Sequence, residues 1–170
     1  AQAPISTRAY DFVMSARHPW ISRWAGPTRD DQDIVVESLS QMGVEALMHR
    51  DVDSLSGGER RRVELAATVA QNAQTILLDE PVNHLDLHYQ INLLQGALKK
   101  WRAEGRAVVM VMHDLNLAIR FSDHLLCLCG DGSTLQGETS VVATTENLST
   151  LLRYPLQELT LGDRSFFIPT

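Results

Sequence analysis

The chain has 170 residues, of which 44% are hydrophobic and 21% charged, the balance of a globular protein rather than a disordered one. A formal net charge of −6 disfavours a general nucleic-acid-binding protein, because such binding needs a positive surface. No apolar run approaches the ~18 residues that indicate a membrane-spanning helix.

The first part of the chain has the pattern of a helical unit. Residues 9–42 predict helical pieces interrupted at Pro19 and at Pro27, with an amphipathic run that ends at Gly43. After Gly57 and Gly58, apolar positions at helical spacing predict a helix over residues 59–72. We therefore expect one structural part over residues 1–72, ending in this helix.

From residue 73 onward, strand and helix patterns alternate. The predicted strands are 75–78, 107–112 and 125–129, with helices over 87–101 and 114–121 between them. The strand over 107–112 is apolar throughout, which is typical of burial on both faces. This alternation predicts an α/β fold with a parallel sheet wrapped by helices over residues 73–170, with short strands and a small tail after Gly130.

The first candidate site lies where the strand over 75–78 ends. Asp79 and Glu80 follow this apolar strand, and open α/β sheets keep their ligands at the carboxyl ends of the strands. One carboxylate could hold Mg²⁺, usually through water, while the next could polarise a water for attack on phosphorus. The alternative is a strand that ends in a solvated acidic turn.

The second candidate is the segment Ser56, Gly57, Gly58 and Glu59, which precedes and opens a helix. Backbone N–H groups at a helix start attract anions, and Ser56 adds a hydroxyl. Ordinary helix capping by Ser56 and Glu59 explains the same residues equally simply. The arginines at 60–62 could hold phosphate, although a solvated helix face with an Arg60–Glu64 pair is the simpler interpretation.

His113 and Asp114 follow the strand over 107–112. A neutral imidazole at that position could contact a phosphate, whereas the alternative is a histidine that caps the next helix. A competing metal-site interpretation starts from His84 and His88, which stand four apart and could hold zinc together with Asp86. No third ligand of convincing spacing follows these histidines.

The two cysteines give no other metal site. Cys127 and Cys129 stand two apart on a predicted strand, where small apolar thiols are common. They are poorly placed to bridge one another, so reduced thiols in a cytosolic protein fit best.

Taken in order along the chain, these motifs resemble the ATP-binding subunit of ABC transporters. LSGGE at 55–59 resembles the signature motif, ILLDE at 76–80 resembles Walker B, 82–86 the D-loop, His113 the switch histidine and Gln2 the Q-loop glutamine. The segments at 16–20, LDEPVNHLDLHYQ and VMHDLNLAIRFSDH are most similar to ATPases of iron-siderophore, haem and cobalamin importers.

The resemblance implies a homodimer that binds two ATP molecules with Mg²⁺. The γ-phosphate held by one subunit would be capped by four residues of the other, Ser56, Gly57, Gly58 and Glu59. Asp79 would bind Mg²⁺ through water, Glu80 would orient the attacking water, and His113 would contact the phosphate. Asp86 would couple the two sites, and Gln2 would contact ATP and Mg²⁺. A membrane permease would dock on the helical part beside Gln2, at the cytoplasmic face of the membrane, with a binding protein engaged indirectly.

The sequence has no Gly-x-x-x-x-Gly-Lys-Ser/Thr segment, the P-loop that cradles phosphates in this family. The resemblance therefore implies a partial ABC-type P-loop NTPase fold, an N-terminally truncated subunit, and a chain that is inactive alone. The missing P-loop strand would lie between the strands over 107–112 and 125–129. Two other classes stay open: a soluble ABC ATPase acting on DNA or ribosomes, and a non-catalytic binding module.

Overall fold

The computed structural model describes residues 7–83, 85–162 and 164–170. The chain forms two compact units, Ala1–Met110 and Val111–Thr170, which are described separately. The helices are α1 (Ala9–Ser15), α2 (Arg29–Gln41), α3 (Gly57–Gln71), α4 (Leu87–Asn92), α5 (Leu98–Ala103), α6 (Leu115–Phe121), α7 (Thr139–Val142) and α8 (Thr145–Leu152). The strands are β1 (Thr75–Asp79), β2 (Ala107–Val111), β3 (His124–Leu128), β4 (Thr134–Glu138), β5 (Leu156–Leu161) and β6 (Arg164–Pro169).

Three helices, α1, α2 and α3, pack on one another to form the helical part of the first unit. Their apolar faces meet in a core whose fully buried members include Val13, Val35, Leu39, Val63 and Ala66. The helical spacing of these residues along each helix explains why one face of each is buried. Within the described residues, no helix is long and apolar enough to cross a membrane.

A buried ion pair ties α2 to the residues that follow α1. The Arg17 guanidinium lies 2.9 Å from the carboxylate of Asp31, and both residues are almost fully buried. Arg17 also donates to the carbonyl of Ala70 at the end of α3 (3.0 Å). One side chain therefore fastens three segments of the helical part, and the buried charge is compensated as burial requires.

Strands β1 and β2 form a two-stranded sheet in which they are direct neighbours. Along β1, Ile76 and Leu78 are buried while Leu77 is 73% exposed. The prediction that strand 107–112 is buried on both faces is wrong, because Val109 and Val111 are more than half exposed. Successive side chains on a strand face opposite sides of the sheet, and one side of this sheet is uncovered in the described structure.

The helix predicted over 87–101 is present with an irregular middle. It runs as α4, then a π-helical turn over Leu93–Ala97, then α5. Leu93, Leu94, Ala97 and Trp101 are its buried side chains, and Trp101 is only 2% exposed. Trp101 anchors the C-terminal end of this helical segment in the interior of the unit.

The second unit contains two antiparallel hairpins, β3–β4 and β5–β6. Strand 125–129 was predicted within a parallel sheet, but its described partner is β4, and the pairing is antiparallel. The Cys129 N–H donates to the Ser133 carbonyl (2.9 Å) in the short turn between the two strands. A turn this short joins neighbouring strands that run in opposite directions, so β3 and β4 pair antiparallel. A separate core of Leu148, Leu156 and Phe167 lies between α8 and the β5–β6 hairpin.

Asn116 ties α6 to β6 within this unit. Its side-chain amide donates to the Phe167 carbonyl (3.1 Å), and its side-chain oxygen accepts from the Phe167 N–H (2.9 Å). The division between the two units falls at Met110, inside β2. The expected division into residues 1–72 and 73–170 stays a prediction, because the split into two compact units does not test it.

Candidate functional site

The paired carboxylates lie where β1 ends. Asp79 is the last residue of the strand and is exposed, while Glu80 is half-buried in the turn that follows. The Glu80 backbone has a φ of 46°, a left-handed conformation that is uncommon for a residue with a side chain. The chain therefore turns sharply at Glu80, directly after the buried part of β1.

The loop after Glu80 folds back onto it. The side-chain amide of Asn83 donates to the Glu80 carboxylate, and the backbone N–H of Asn83 donates to the Glu80 carbonyl (3.1 Å). Pro81 and Val82, between them, are buried and anchor the turn. The Asn83 side chain therefore orients the Glu80 carboxylate, and general-base catalysis needs a carboxylate in a defined position.

Helix α3 contacts this strand end through Arg61. Its Nη2 atom donates to the carbonyl oxygens of Asp79 (2.6 Å) and Glu80 (3.0 Å). The sequence interpretation missed this contact. The predicted Arg60–Glu64 pair is present at 3.4 Å. Arg61, in contrast, contacts both Glu64 and the end of β1. Three consecutive arginines give no sequence signal for which of them points inward.

The N-terminus of α3 is closed by a capping box. The Ser56 hydroxyl accepts from the Glu59 N–H (3.4 Å), and the Glu59 carboxylate accepts from the Ser56 N–H (2.8 Å). The Ser56 N–H and the Ser56 hydroxyl (2.8 Å) both donate to the Glu59 carboxylate and, with the nearby positive charges of Arg50 and Arg62, hold the pKa of Glu59 below its ordinary value. The helix begins at Gly57, which is exposed, and Gly58 is half-buried. The capping interpretation is confirmed, and the phosphate role of these residues stays a prediction.

Two other predicted site residues stand beside helix starts. Asp86 is the N-cap of α4, and its carboxylate accepts from the Tyr89 N–H (3.1 Å). In the second unit, His113 is exposed, and the N-cap of α6 is the neighbouring Asp114 (2.8 Å to the Leu117 N–H). The helix is therefore capped by the aspartate rather than by His113. Gln2 lies outside the described residues.

The described residues contain no group of three or more acidic, His or Cys side chains that could hold a metal by itself. For the zinc alternative, His84 lies outside the described residues, and the His88 ring is hydrogen-bonded to Asn92 (2.9 Å). The donor set at the end of β1 fits Mg²⁺, which protein sites commonly bind through one or two carboxylates together with substrate phosphates. Cys127 and Cys129 are free thiols, and burial raises the pKa of Cys127.

Comparison with solved structures shows that the chain has a partial P-loop NTPase fold of the α/β class. A metal-chelate type ABC transporter in an inward-facing conformation matches the whole chain with a TM-score of 0.84 and 28% identity, and 69% of that chain is covered. A dimeric cassette, MJ0796 with bound ADP and phosphate, matches 81% of the chain and 58% of its own length (TM-score 0.68, 27% identity).

Sequence comparison agrees with the structural match. The family model described as ABC transporter matches residues 5–83. The achromobactin transport ATP-binding protein CbrD of Dickeya dadantii is 38% identical over 138 residues, which is 79% of this chain and 50% of CbrD. Residues 5–83 therefore form part of an ABC transporter domain, and the chain is similar to ATP-binding proteins of such transporters over most of its length. It spans about half the length of the curated relatives it matches.

Proposed function

We propose that the protein containing this chain is the ATP-binding subunit of an ABC importer, which hydrolyses ATP as a dimer to drive uptake of a metal chelate. The observation that carries the proposal is the carboxylate of Glu80 at the end of β1, which Asn83 orients within the segment that resembles Walker B and that the ABC transporter family model covers. Achromobactin transport in a relative and the metal-chelate type of the structural match support the substrate class.

Glu80 has the role of general base in this proposal. Its carboxylate orients the attacking water and accepts a proton from it as the water oxygen bonds to the γ-phosphorus and the bond to ADP breaks. Asp79, one residue earlier and exposed, would hold Mg²⁺ through water. When bound, Mg²⁺ neutralises the charge that develops on the phosphate oxygens.

The other site residues act on phosphate or across the dimer. Ser56, Gly57 and Gly58 of one subunit face the γ-phosphate bound by the other subunit, in the anion site of a helix start, with Glu59 ordering that start. His113 contacts the terminal phosphate, and Asp86 couples the two sites. The dimeric match with bound ADP supports this arrangement.

The remaining partners follow from the same proposal. A membrane permease docks on the helical part, where Gln2 reports the state of the nucleotide, and the subunit works at the cytoplasmic face of the membrane. A binding protein delivers an iron-siderophore or a similar cofactor to the permease. The net charge of −6 supports a subunit that does not bind nucleic acid.

The test uses a protein that joins this chain to a preceding P-loop segment, hereafter the P-loop-bearing protein. Glu80→Gln should leave ATP binding intact and lower turnover about 10²–10⁴-fold, because the base is lost while the shape of the side chain is kept. Glu45→Gln, an exposed acidic residue in a helical turn of the same unit, is the control and should change turnover less than about 2-fold. Near-normal turnover in Glu80→Gln would remove Glu80 from its role.

A further inference from the structure

Arg61 joins the helix of the signature motif to the carbonyl oxygens around Glu80. It is the fifth residue of α3, one turn after the Ser56 cap. Its Nη2 atom lies within hydrogen-bond distance of the Asp79 and Glu80 carbonyl oxygens, and its Nη1 atom lies 3.1 Å from the Glu64 carboxylate. Glu64 thus orients the guanidinium from one side while the two carbonyls accept from the other.

The turn that Arg61 contacts is one that a glutamate rarely adopts. The left-handed backbone of Glu80 brings its Cβ close to its own carbonyl, so the surrounding structure must hold this conformation. The donors to the Glu80 carbonyl among the described residues include the Arg61 guanidinium (3.0 Å) and the Asn83 N–H (3.1 Å). Hydrogen bonds from a charged donor are the stronger kind, and Arg61 also holds the preceding carbonyl.

We infer that Arg61 is a positioning residue for Glu80, and that it links the signature helix to the hydrolytic carboxylate of the same subunit. This inference rests on the proposed function, which assigns phosphate contact to the start of α3 and the general-base role to Glu80. In the dimer, the start of α3 meets the ATP bound by the partner subunit, whereas Glu80 acts on the subunit's own ATP. Arg61 therefore connects the two ATP sites through one subunit. When the start of α3 binds the phosphate of the partner's ATP, Arg61 aligns Glu80 at the subunit's own ATP.

Arg60 is a matched control on the same helix. It pairs with the same glutamate, Glu64, but its side chain is 55% exposed, and its described contacts do not include the carbonyls of β1. Replacing either arginine with alanine removes one positive charge and one Glu64 pair. Only Arg61→Ala removes the donors to the Glu80 turn.

The first measurement is amide hydrogen exchange on the 170-residue chain. The Asn83 N–H shares its acceptor, the Glu80 carbonyl, with Arg61. Arg61→Ala should therefore accelerate exchange at Asn83 by about 10-fold or more, as expected when a local contact network opens. Arg60→Ala should leave it unchanged. Equal exchange in the two variants would overturn the inference.

The second measurement is ATP turnover by the P-loop-bearing protein. Arg61→Ala should lower kcat about 10-fold while the KM for ATP stays within about 2-fold, because a misplaced base slows the chemical step rather than binding. Arg61→Lys keeps a charged donor and should recover part of kcat. A kcat in Arg61→Ala equal to that of Arg60→Ala, with Glu80→Gln inactive, would overturn the positioning role. An active Glu80→Gln would instead refute the proposed function. Amide exchange at Asn83 would still test whether Arg61 holds the Glu80 turn.

Discussion

At the scale of single residues, the Arg17–Asp31 pair is the clearest case of a structural charge in the chain. Asp31 is 4% exposed and accepts hydrogen bonds from the hydroxyl (2.7 Å) and the backbone N–H (3.0 Å) of Thr28. These bonds, followed by those from Arg17, lower the pKa of Asp31 from 3.8 to about 2. The same carboxylate completes the capping box of α2 and compensates a buried guanidinium.

The pair predicts how stability depends on pH. The folded-state pKa of Asp31 lies below its ordinary value, so its contribution is complete above that value and is lost as pH falls from about 4 towards 2. Asp31→Asn should lower the urea midpoint of unfolding near neutral pH, because Arg17 keeps its charge without a counterion. The difference from the unchanged chain should shrink as pH falls through that window.

Asp33→Asn provides the control, since Asp33 lies on the same helix and is exposed. It should shift the midpoint little at any pH. A gap between Asp31→Asn and the unchanged chain that stays constant from about pH 7 to about pH 2 would show that the Asp31 charge is not the source of the stability.

At the scale of elements, the start of α3 has both a capping and a phosphate-binding interpretation, and one substitution separates them. Ser56→Arg should leave nucleotide binding to each P-loop-bearing subunit intact, because the subunit's own P-loop performs it. The bulky cation would cover the helix start that should face the partner's phosphate, so ATP-driven dimerisation should fail. Light scattering with ATP and Mg²⁺ measures this directly.

The control for Ser56→Arg is another helix cap. Thr144 caps α8, where its hydroxyl accepts from the Asn147 N–H (3.2 Å), and Thr144→Arg removes a cap without touching α3. It should cost about 0.5–2 kcal/mol of stability and leave ATP-driven dimerisation unchanged. If Ser56→Arg also dimerises normally, Ser56 serves only as a cap.

The elements themselves were largely predictable from the sequence. Helix α3 was expected over 59–72 and runs Gly57–Gln71, and β1 was expected over 75–78 and runs Thr75–Asp79, because apolar spacing and glycine punctuation are local signals. The position of Asp79 and Glu80 at the end of this strand was predictable from the same local pattern. The π-helical turn at Leu93–Ala97 and the exposed side of β2 could not, since they depend on packing by other segments.

The contacts that organise the candidate site were the least predictable part. Arg17 and Asp31 are 14 residues apart, and Arg61 reaches carbonyls 18 and 19 residues away. Such partners are brought together by the packing of helices and strands, so residue types and spacing do not reveal them. The capping boxes of α2 and α3 are local, which is why the one at Ser56 and Glu59 could be proposed from sequence.

At the scale of the whole molecule, the chain contains the carboxylates, the signature helix and His113, but its 170 residues include no P-loop. Most phosphate affinity in such ATPases comes from P-loop backbone N–H groups and a lysine. Without Mg²⁺, the carboxylates of Asp79 and Glu80 would repel a tetra-anion. We therefore propose that hydrolysis and phosphate binding are divided between this chain and a P-loop segment.

Titration with labelled ATP and Mg²⁺ tests this claim most directly, with the 170-residue chain and the P-loop-bearing protein measured side by side. The chain alone should show no saturation below millimolar ATP, because one helix-start anion site contributes only about 1–2 kcal/mol. The P-loop-bearing protein should saturate at a far lower concentration. Micromolar binding by the 170-residue chain alone would contradict the claim, and would mean that residues within this chain cradle the phosphates.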